Sequence, residues 1–210
     1  MIKILVADDH ALVREGLKQI LSDIEDIGSI DEASTGEEVI SRVNETEYDI
    51  VLLDISMPGR SGIEILKQVK ELKPEQNVLI LSMHPEEQYA IRCFKSGASG
   101  YVTKDTSPAE LISAIRQVYA GQKYVSATLA QNLAAYIQVD SDKPLHEQLS
   151  DREYEVLRMF ASGIGNKDIA EQLSLSAKTI STYRARILDK LDLKTNAEIT
   201  QYAIQNDLIE

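Results

Sequence analysis

Ile50-Val51-Leu52-Leu53-Asp54-Ile55-Ser56-Met57-Pro58-Gly59 decides how this chain is read. An apolar run from Tyr48 to Leu53 has the length of a buried strand, and it stops at a carboxylate followed by a Pro-Gly turn signal. The same sentence is written four more times around it. Ile2–Ala7 is apolar and rich in β-branched residues, then meets Asp8-Asp9; Ile27–Ala33 is a weaker strand; Val78–Leu81 runs into Ser82; Ser99–Thr103 runs into Lys104. Between these runs the period changes to that of a helix: residues 12, 13, 17, 20 and 21 form one apolar stripe, Gly36–Val43 a second, and Ile63, Leu66, Val69 and Leu72 a third, stopped by Pro74. Glu86–Lys95 ends at Gly97, and Ser107-Pro108 opens a last helix with an N-cap and a first-turn proline, closed by Gly121. Five strands alternating with five helices predict an α/β domain: a doubly wound, flavodoxin-like parallel sheet covered on both faces.

Ligands of such sheets bind beyond the carboxyl ends of the strands. Asp8, Asp9, Asp54, Ser82 and Lys104 all fall there. One strand-end Asp is usually a turn residue or a helix cap, and Asp8 or Asp9 could cap the first helix. Five chemistry-bearing residues at matching ends are a different matter. Three converging carboxylates repel one another, and a hard divalent cation such as Mg²⁺ relieves this while bridging to a phosphoryl oxygen. A carboxylate can accept phosphate covalently, Lys104 offers positive charge to its oxygens, and Ser82 offers a hydroxyl.

The chain is long enough for two domains, and 43% hydrophobic residues exclude bulk disorder. Cys93 is the single cysteine, so no internal disulfide framework exists. The opening apolar run meets acid too soon for a signal peptide or membrane span, and a soluble cytoplasmic protein is expected. Net charge is −12, of which residues 145–210 carry −3. Within that acidic background, residues 178–190 hold Lys178, Arg184, Arg186 and Lys190 against Asp189 alone.

Residues 1–122 resemble the response-regulator receiver family. The resemblance rests on Val6-Ala-Asp8-Asp9-His10, on Ile50 to Gly59, on Leu79-Ile-Leu-Ser82-Met and on Gly97-Ala-Ser-Gly-Tyr101-Val-Thr-Lys104. It implies that Asp54 is the phospho-acceptor and that Lys104 and Ser82 serve the transfer. It implies Mg²⁺ held by Asp9, Asp54 and the Ser56 backbone carbonyl, with Asp8 acting through water, and a Ser82–Tyr101 relay of the phosphorylated state. Receivers often carry proline after this lysine, frequently in a cis peptide, whereas Asp105 stands here. For Tyr101, an aromatic on an edge strand, plain packing is the alternative role.

Tyr124–Gln138 reads as one more helix and Val139–Pro144 as a polar linker, after which strand patterns vanish. Asp151–Ala161, Lys167–Leu173, Ala177–Leu191 and Ala197–Ile204 read as helices. Ser150 and Glu153 make a capping-box pattern, and Ser174-Leu-Ser176 joins the second and third helices as a tight turn with Ser176 as N-cap. At 100° per residue, Ile180, Ile187 and Leu191 lie on one side of the third helix; Lys178, Thr182, Ala185, Arg186 and Asp189 lie opposite, with Ser181 at the edge. Small polar residues bracketed by cations suit a major-groove reader, although a single amphipathic helix with this face is more often merely solvated.

Residues 147–208 resemble the LuxR-type domain of the NarL/FixJ regulators, through Leu149–Glu153, Gly163–Ala170 and Ser176–Leu191; Gly165 and Tyr183-Arg184 depart from the commonest pattern. The organisation implied is a receiver over 1–122, a linker helix and linker over 123–146, and an all-α helix-turn-helix domain over 147–210. DNA contacts would come from Lys178, Thr179, Ser181, Thr182, Arg184, Ala185 and Arg186, with Arg184 either reaching a phosphate or pairing with an acid. The implied function is a two-component response regulator: a sensor histidine kinase as phosphoryl donor, double-stranded promoter DNA as target, a homodimer when phosphorylated, no membrane partner, and no enzymatic turnover beyond autophosphotransfer and slow self-dephosphorylation. Two rivals compete with it. An aspartyl phosphohydrolase of the dehalogenase type is disfavoured, because it needs Asp-x-Asp after the first strand. A receiver acting only through protein contacts remains.

Overall fold

The computed structural model describes residues 1–126, 129–131 and 144–209. The chain divides into two compact units, Met1–Ala135 and Tyr136–Glu210. The first alternates β1 (Ile2–Ala7), α1 (Ala11–Ser22), β2 (Ile27–Ala33), α2 (Gly36–Glu45), β3 (Ile50–Leu53), α3 (Gly62–Leu72), β4 (Asn77–Ser82), α4 (Glu86–Lys95), β5 (Gly100–Thr103) and α5 (Pro108–Tyr119). All four strand pairings are parallel, in the order β2-β1-β3-β4-β5. The order reverses between β1 and β3, so the ends of those two strands flank the crevice that a doubly wound sheet offers to ligands.

Strand alternation divides the core. Ile4, Val6, Ile50, Leu52, Leu79 and Leu81 pack with Leu17 and Leu21 of α1 and with Leu111, Ala114, Ile115 and Val118 of α5. Leu5, Val51, Leu53, Val78 and Ile80 are equally buried on the alternate face, as are Val39, Leu66, Val69 and Ala90. Burial on both faces is why β3 reads as an unbroken apolar run. Gly97 and Gly121 close their helices with φ of +99° and +79°, and Ser107 caps α5 with Pro108 in its first turn.

The helix expected from Tyr124 does not begin there. The Tyr124 N–H donates to the Ser99 carbonyl at 2.9 Å, and Tyr124 forms an isolated parallel bridge with Gly100 beside β5. A Cβ on Gly100 would lie 2.9 Å from that of Tyr124, so the missing side chain admits the aromatic residue, and an unpaired strand edge outcompetes helical periodicity. Residues 129–131 are helical; the remainder of that expected helix and the 139–143 part of the linker lie outside the described residues.

The second unit has a 3₁₀ turn at Leu145–Gln148, then α6 (Asp151–Ala161), α7 (Asn166–Gln172), α8 (Ala177–Lys190) and α9 (Asn196–Gln205). The capping box is present in full at Ser150 and Glu153. Val156, Leu157, Phe160, Ile169, Ile180, Ile187, Ile199 and Ala203 are buried. The α7–α8 turn is sharp because Ser174 takes a left-handed φ of +53° and Ser176 caps α8.

Candidate functional site

Four of the five strand-end residues meet. Lys104 Nζ lies 2.6 Å from Asp8 Oδ2 and 2.7 Å from Asp54 Oδ2, with all three side chains less than a tenth exposed. Asp9 is about a quarter exposed at the rim. Burial pushes the Asp54 carboxyl up; Lys104 opposes this, and the Asp8 charge adds to it. For Lys104, burial works against the charge, but the Asp54 and Asp8 carboxylates outweigh it and hold the ammonium above its ordinary value. One ammonium therefore faces three carboxylates, a surplus of negative charge on hard oxygen donors. That donor set fits a hard divalent cation.

The capping alternative for Asp8 and Asp9 is not realised. The N-cap of α1 is His10, no side chain caps the helix, and Asp8 Oδ1 instead accepts the His10 N–H at 2.8 Å. His10 follows the acidic pair in sequence, and its ring nitrogen and oxygens of Asp8, Asp9 and Asp54 all lie within 4.8 Å of one another. Arg14 is another residue missed: it donates to the Asp8 carbonyl at 2.7 Å and pairs with Glu32 at 3.0 Å, and one arginine on an amphipathic helix gave no signal.

Ser56, after Asp54, donates its N–H to Asp54 Oδ1 at 3.0 Å. The Ser82 hydroxyl is fully buried and accepts the His84 N–H at 3.0 Å. Tyr101 is also fully buried, and its hydroxyl donates to the His84 carbonyl at 2.8 Å. Ser82 and Tyr101 thus hold the two backbone polar groups of one residue, His84, from two strands, which goes beyond apolar packing at an edge. The chain has no cis peptide among the described residues, so Lys104–Asp105 is trans.

In the second unit, Lys178, Ser181, Thr182, Ala185 and Arg186 form the exposed face of α8, as its periodicity predicts. Thr179 is half-buried against Ser176. Arg184 is half-buried and donates to Asn196 Oδ1 at 2.6 Å, so it pairs with an amide on α9 and not with an acid. Lys190 leaves the basic stripe: its ammonium turns inward to Glu153 at 2.6 Å and the Gln148 carbonyl at 3.2 Å. The outward cations of α8 are therefore Lys178 and Arg186.

Two family models match. Residues 4–116 match the response regulator receiver domain, and residues 147–203 match the bacterial regulatory proteins of the luxR family. The chain is 37% identical over 209 residues to the Response regulator UvrY of Escherichia coli strain K12, covering 99% of this chain and 96% of that one. It is 40% identical over 216 residues to the Oxygen regulatory protein NreC of Staphylococcus epidermidis, covering 99% of each. Among solved structures, RcsB of Salmonella enterica serovar Typhimurium, bound to promoter rprA in the presence of phosphomimetic BeF₃⁻, matches with a TM-score of 0.66, 26% identity, and coverage of 96% of this chain and 97% of that one. No helix of the described residues is long and apolar enough to cross a membrane.

Proposed function

Since the chain belongs to the response regulators that join a receiver to a LuxR-type DNA-binding domain, we propose that phosphorylation of Asp54 by a sensor histidine kinase controls its binding to promoter DNA. The observation that carries the assignment is Asp54 itself, buried at the β1/β3 crevice with Lys104 on one oxygen and the Ser56 N–H on the other. The oxygen facing Lys104 lies beside positive charge able to neutralise an incoming phosphoryl group. Asp8, Asp9 and Asp54, with the Ser56 carbonyl, would hold Mg²⁺, which supplies charge neutralisation at the phosphoryl oxygens. The chain's own part is to orient Asp54, to set the Lys104 ammonium beside it, and to exclude bulk water.

Once the phosphoryl group is attached, the Ser82 hydroxyl can leave the His84 N–H for a phosphoryl oxygen. Tyr101, whose hydroxyl holds the carbonyl of that same residue, then reads the change. This is a two-state local switch, not enzymatic turnover. The functional boundary falls within 123–146, and the released second unit acts as a dimer on two half-sites about one helical turn apart. In the second unit Lys178 and Arg186 meet phosphate or a guanine edge, Ser181, Thr182 and Ala185 lie against bases, and Thr179 and Arg184 position the helix from its margins. A protein-contact role alone is disfavoured by the exposed, acid-poor face of α8 and by the relative solved on promoter DNA.

DNA footprinting with and without acetyl phosphate and Mg²⁺ tests the proposal. Protection that strengthens on phosphorylation and is lost in Asp54→Ala is expected. Identical footprints for the two states would refute phosphorylation control.

A further inference from the structure

The residues that follow α5 are tied across three elements of the first unit. The Lys123 ammonium donates to the Ala98 carbonyl at 2.7 Å, and the Lys123 carbonyl accepts the Gln117 amide of α5 at 2.8 Å. The Tyr124 N–H is held by the Ser99 carbonyl beside β5, and the Tyr124 hydroxyl donates to Glu110 of α5 at 2.8 Å. These bonds anchor the segment to β5 and α5. The Ser126 hydroxyl reaches the third element: it donates to Glu86, the first residue of α4, at 2.5 Å. A hydroxyl on a carboxylate at that length is a charge-assisted bond, about twice as strong as a neutral one.

Glu86 stands two residues beyond His84, whose N–H and carbonyl are held by Ser82 and Tyr101. The loop that moves when Ser82 turns to a phosphoryl group is therefore the loop that ends in the Ser126 tie. A cavity of about 330 Å³ adjoins it, with Met83, Pro85, Glu86, Tyr101, Tyr124 and Ser126 in its wall, so Pro85 and Glu86 have room to shift. Ser126 has a second role. The same hydroxyl oxygen accepts the Leu129 N–H at 3.0 Å, and the Ser126 carbonyl accepts the Ala130 N–H at 2.9 Å, the bonds of a helix N-cap. Leu129 is fully buried. Withdrawing Glu86 frees the capping hydroxyl to rotate and loosens the helical turn it starts, while the anchors on β5 and α5 stay.

We infer that the Glu86–Ser126 bond is the contact through which the phosphorylated state reaches the linker. It holds the start of the linker helix in the unphosphorylated chain and breaks when the His84 loop moves. The inference rests on the reading that phosphorylation of Asp54 draws Ser82 away from His84. It makes Glu86 and Ser126 positioning residues that set the linker without touching the phosphoryl group.

The test follows amide exchange by nuclear magnetic resonance in the full chain, comparing Glu86→Ala with Glu87→Ala. Both acids lie in the first turn of α4 and complement its N-terminus alike, but Glu87 is exposed. An unchanged melting temperature shows that both variants fold. Intact mass, with Asp54→Ala as the blank, first establishes labelling by acetyl phosphate with Mg²⁺. Labelling of the wild-type chain should speed exchange at Leu129 and Ala130 about tenfold, the worth of one charge-assisted hydrogen bond, while Tyr124 stays protected. Glu86→Ala should exchange at the fast rate without phosphate, and labelling should add nothing further; Glu87→Ala should behave as wild type. If the labelled wild-type chain exchanges Leu129 and Ala130 at the unlabelled rate, or if Glu86→Ala leaves them protected, the tie does not carry the signal, and control of DNA binding by Asp54 stands untouched. If Asp54 takes no phosphoryl group, the reading beneath the inference fails, and the inference with it.

Discussion

Gly62→Ala is a small change with a large expected consequence, because of what lies against that residue. Gly62 opens α3, eight residues after Asp54, and its N–H donates to the Ile55 carbonyl at 3.0 Å. A Cβ there would lie 2.3 Å from Ile55 Cα and 2.5 Å from the Asp54 carbonyl oxygen. Both neighbours are backbone, so no rotamer change relieves the overlap. Gly16, inside α1, is the control: a Cβ there meets nothing within 4 Å. Alanine in a helix gains about 0.5–1 kcal/mol over glycine, so Gly16→Ala should stabilise the first unit by that amount. At Gly62 the same gain is opposed by overpacking, typically about 1–3 kcal/mol and more when backbone must move. A net loss of roughly 1–2 kcal/mol should lower the melting temperature of the first unit by about 4–8 °C. The strain is relieved by shifting the segment that positions Asp54, so autophosphorylation should slow as well. Calorimetry and intact-mass measurement of acetyl phosphate labelling read the two effects. If Gly62→Ala melts as high as Gly16→Ala and labels at the wild-type rate, the close approach of α3 to the Asp54 loop does not constrain it.

Acetyl phosphate with Mg²⁺ should add one phosphoryl group to the full chain and none to Asp54→Ala; normal labelling of the variant would reassign the acceptor. The isolated 145–210 fragment should bind DNA weakly; Lys178→Ala should reduce its salt slope by about one without changing sequence preference, whereas a Thr182 substitution should alter preference by roughly 1–3 kcal/mol at one base pair. Burial opposes ionisation of Glu153, but the Lys190 ammonium and the Ser150 N–H outweigh it and hold the carboxyl below its ordinary value of 4.5. A depressed folded value means stability that is fully present above pH 4.5 and lost as pH falls through the folded value. Acid titration of that fragment's stability should therefore show a loss below pH 4.5 that Glu153→Gln removes. Gly165 caps α7 without a side chain, so Gly165→Ser should stabilise the fragment by a few tenths of a kcal/mol, read by denaturant melts.

Sequence alone determined whatever depends on neighbours within about one helical turn or one strand pleat. The alternation of periods set the parallel sheet; Ser107, Ser150 and Ser176 marked helix starts; the end of each strand marked where Asp8, Asp9, Asp54, Ser82 and Lys104 would lie; and the exposed face of α8 followed from its 3.6-residue period. Tertiary structure decided what depends on long loops closing. Lys104 meets Asp54 across 50 residues, and Lys190 leaves the basic stripe for Glu153 across 37. Arg184 finds Asn196, Tyr124 abandons a helix for the edge of β5, and Gly62 has no room for a Cβ only because α3 starts against the Asp54 backbone. Local pattern carries the identity and facing of a side chain, but not its partner: the partner is chosen by the strand order and by which buried charge or open edge would otherwise go unpaired.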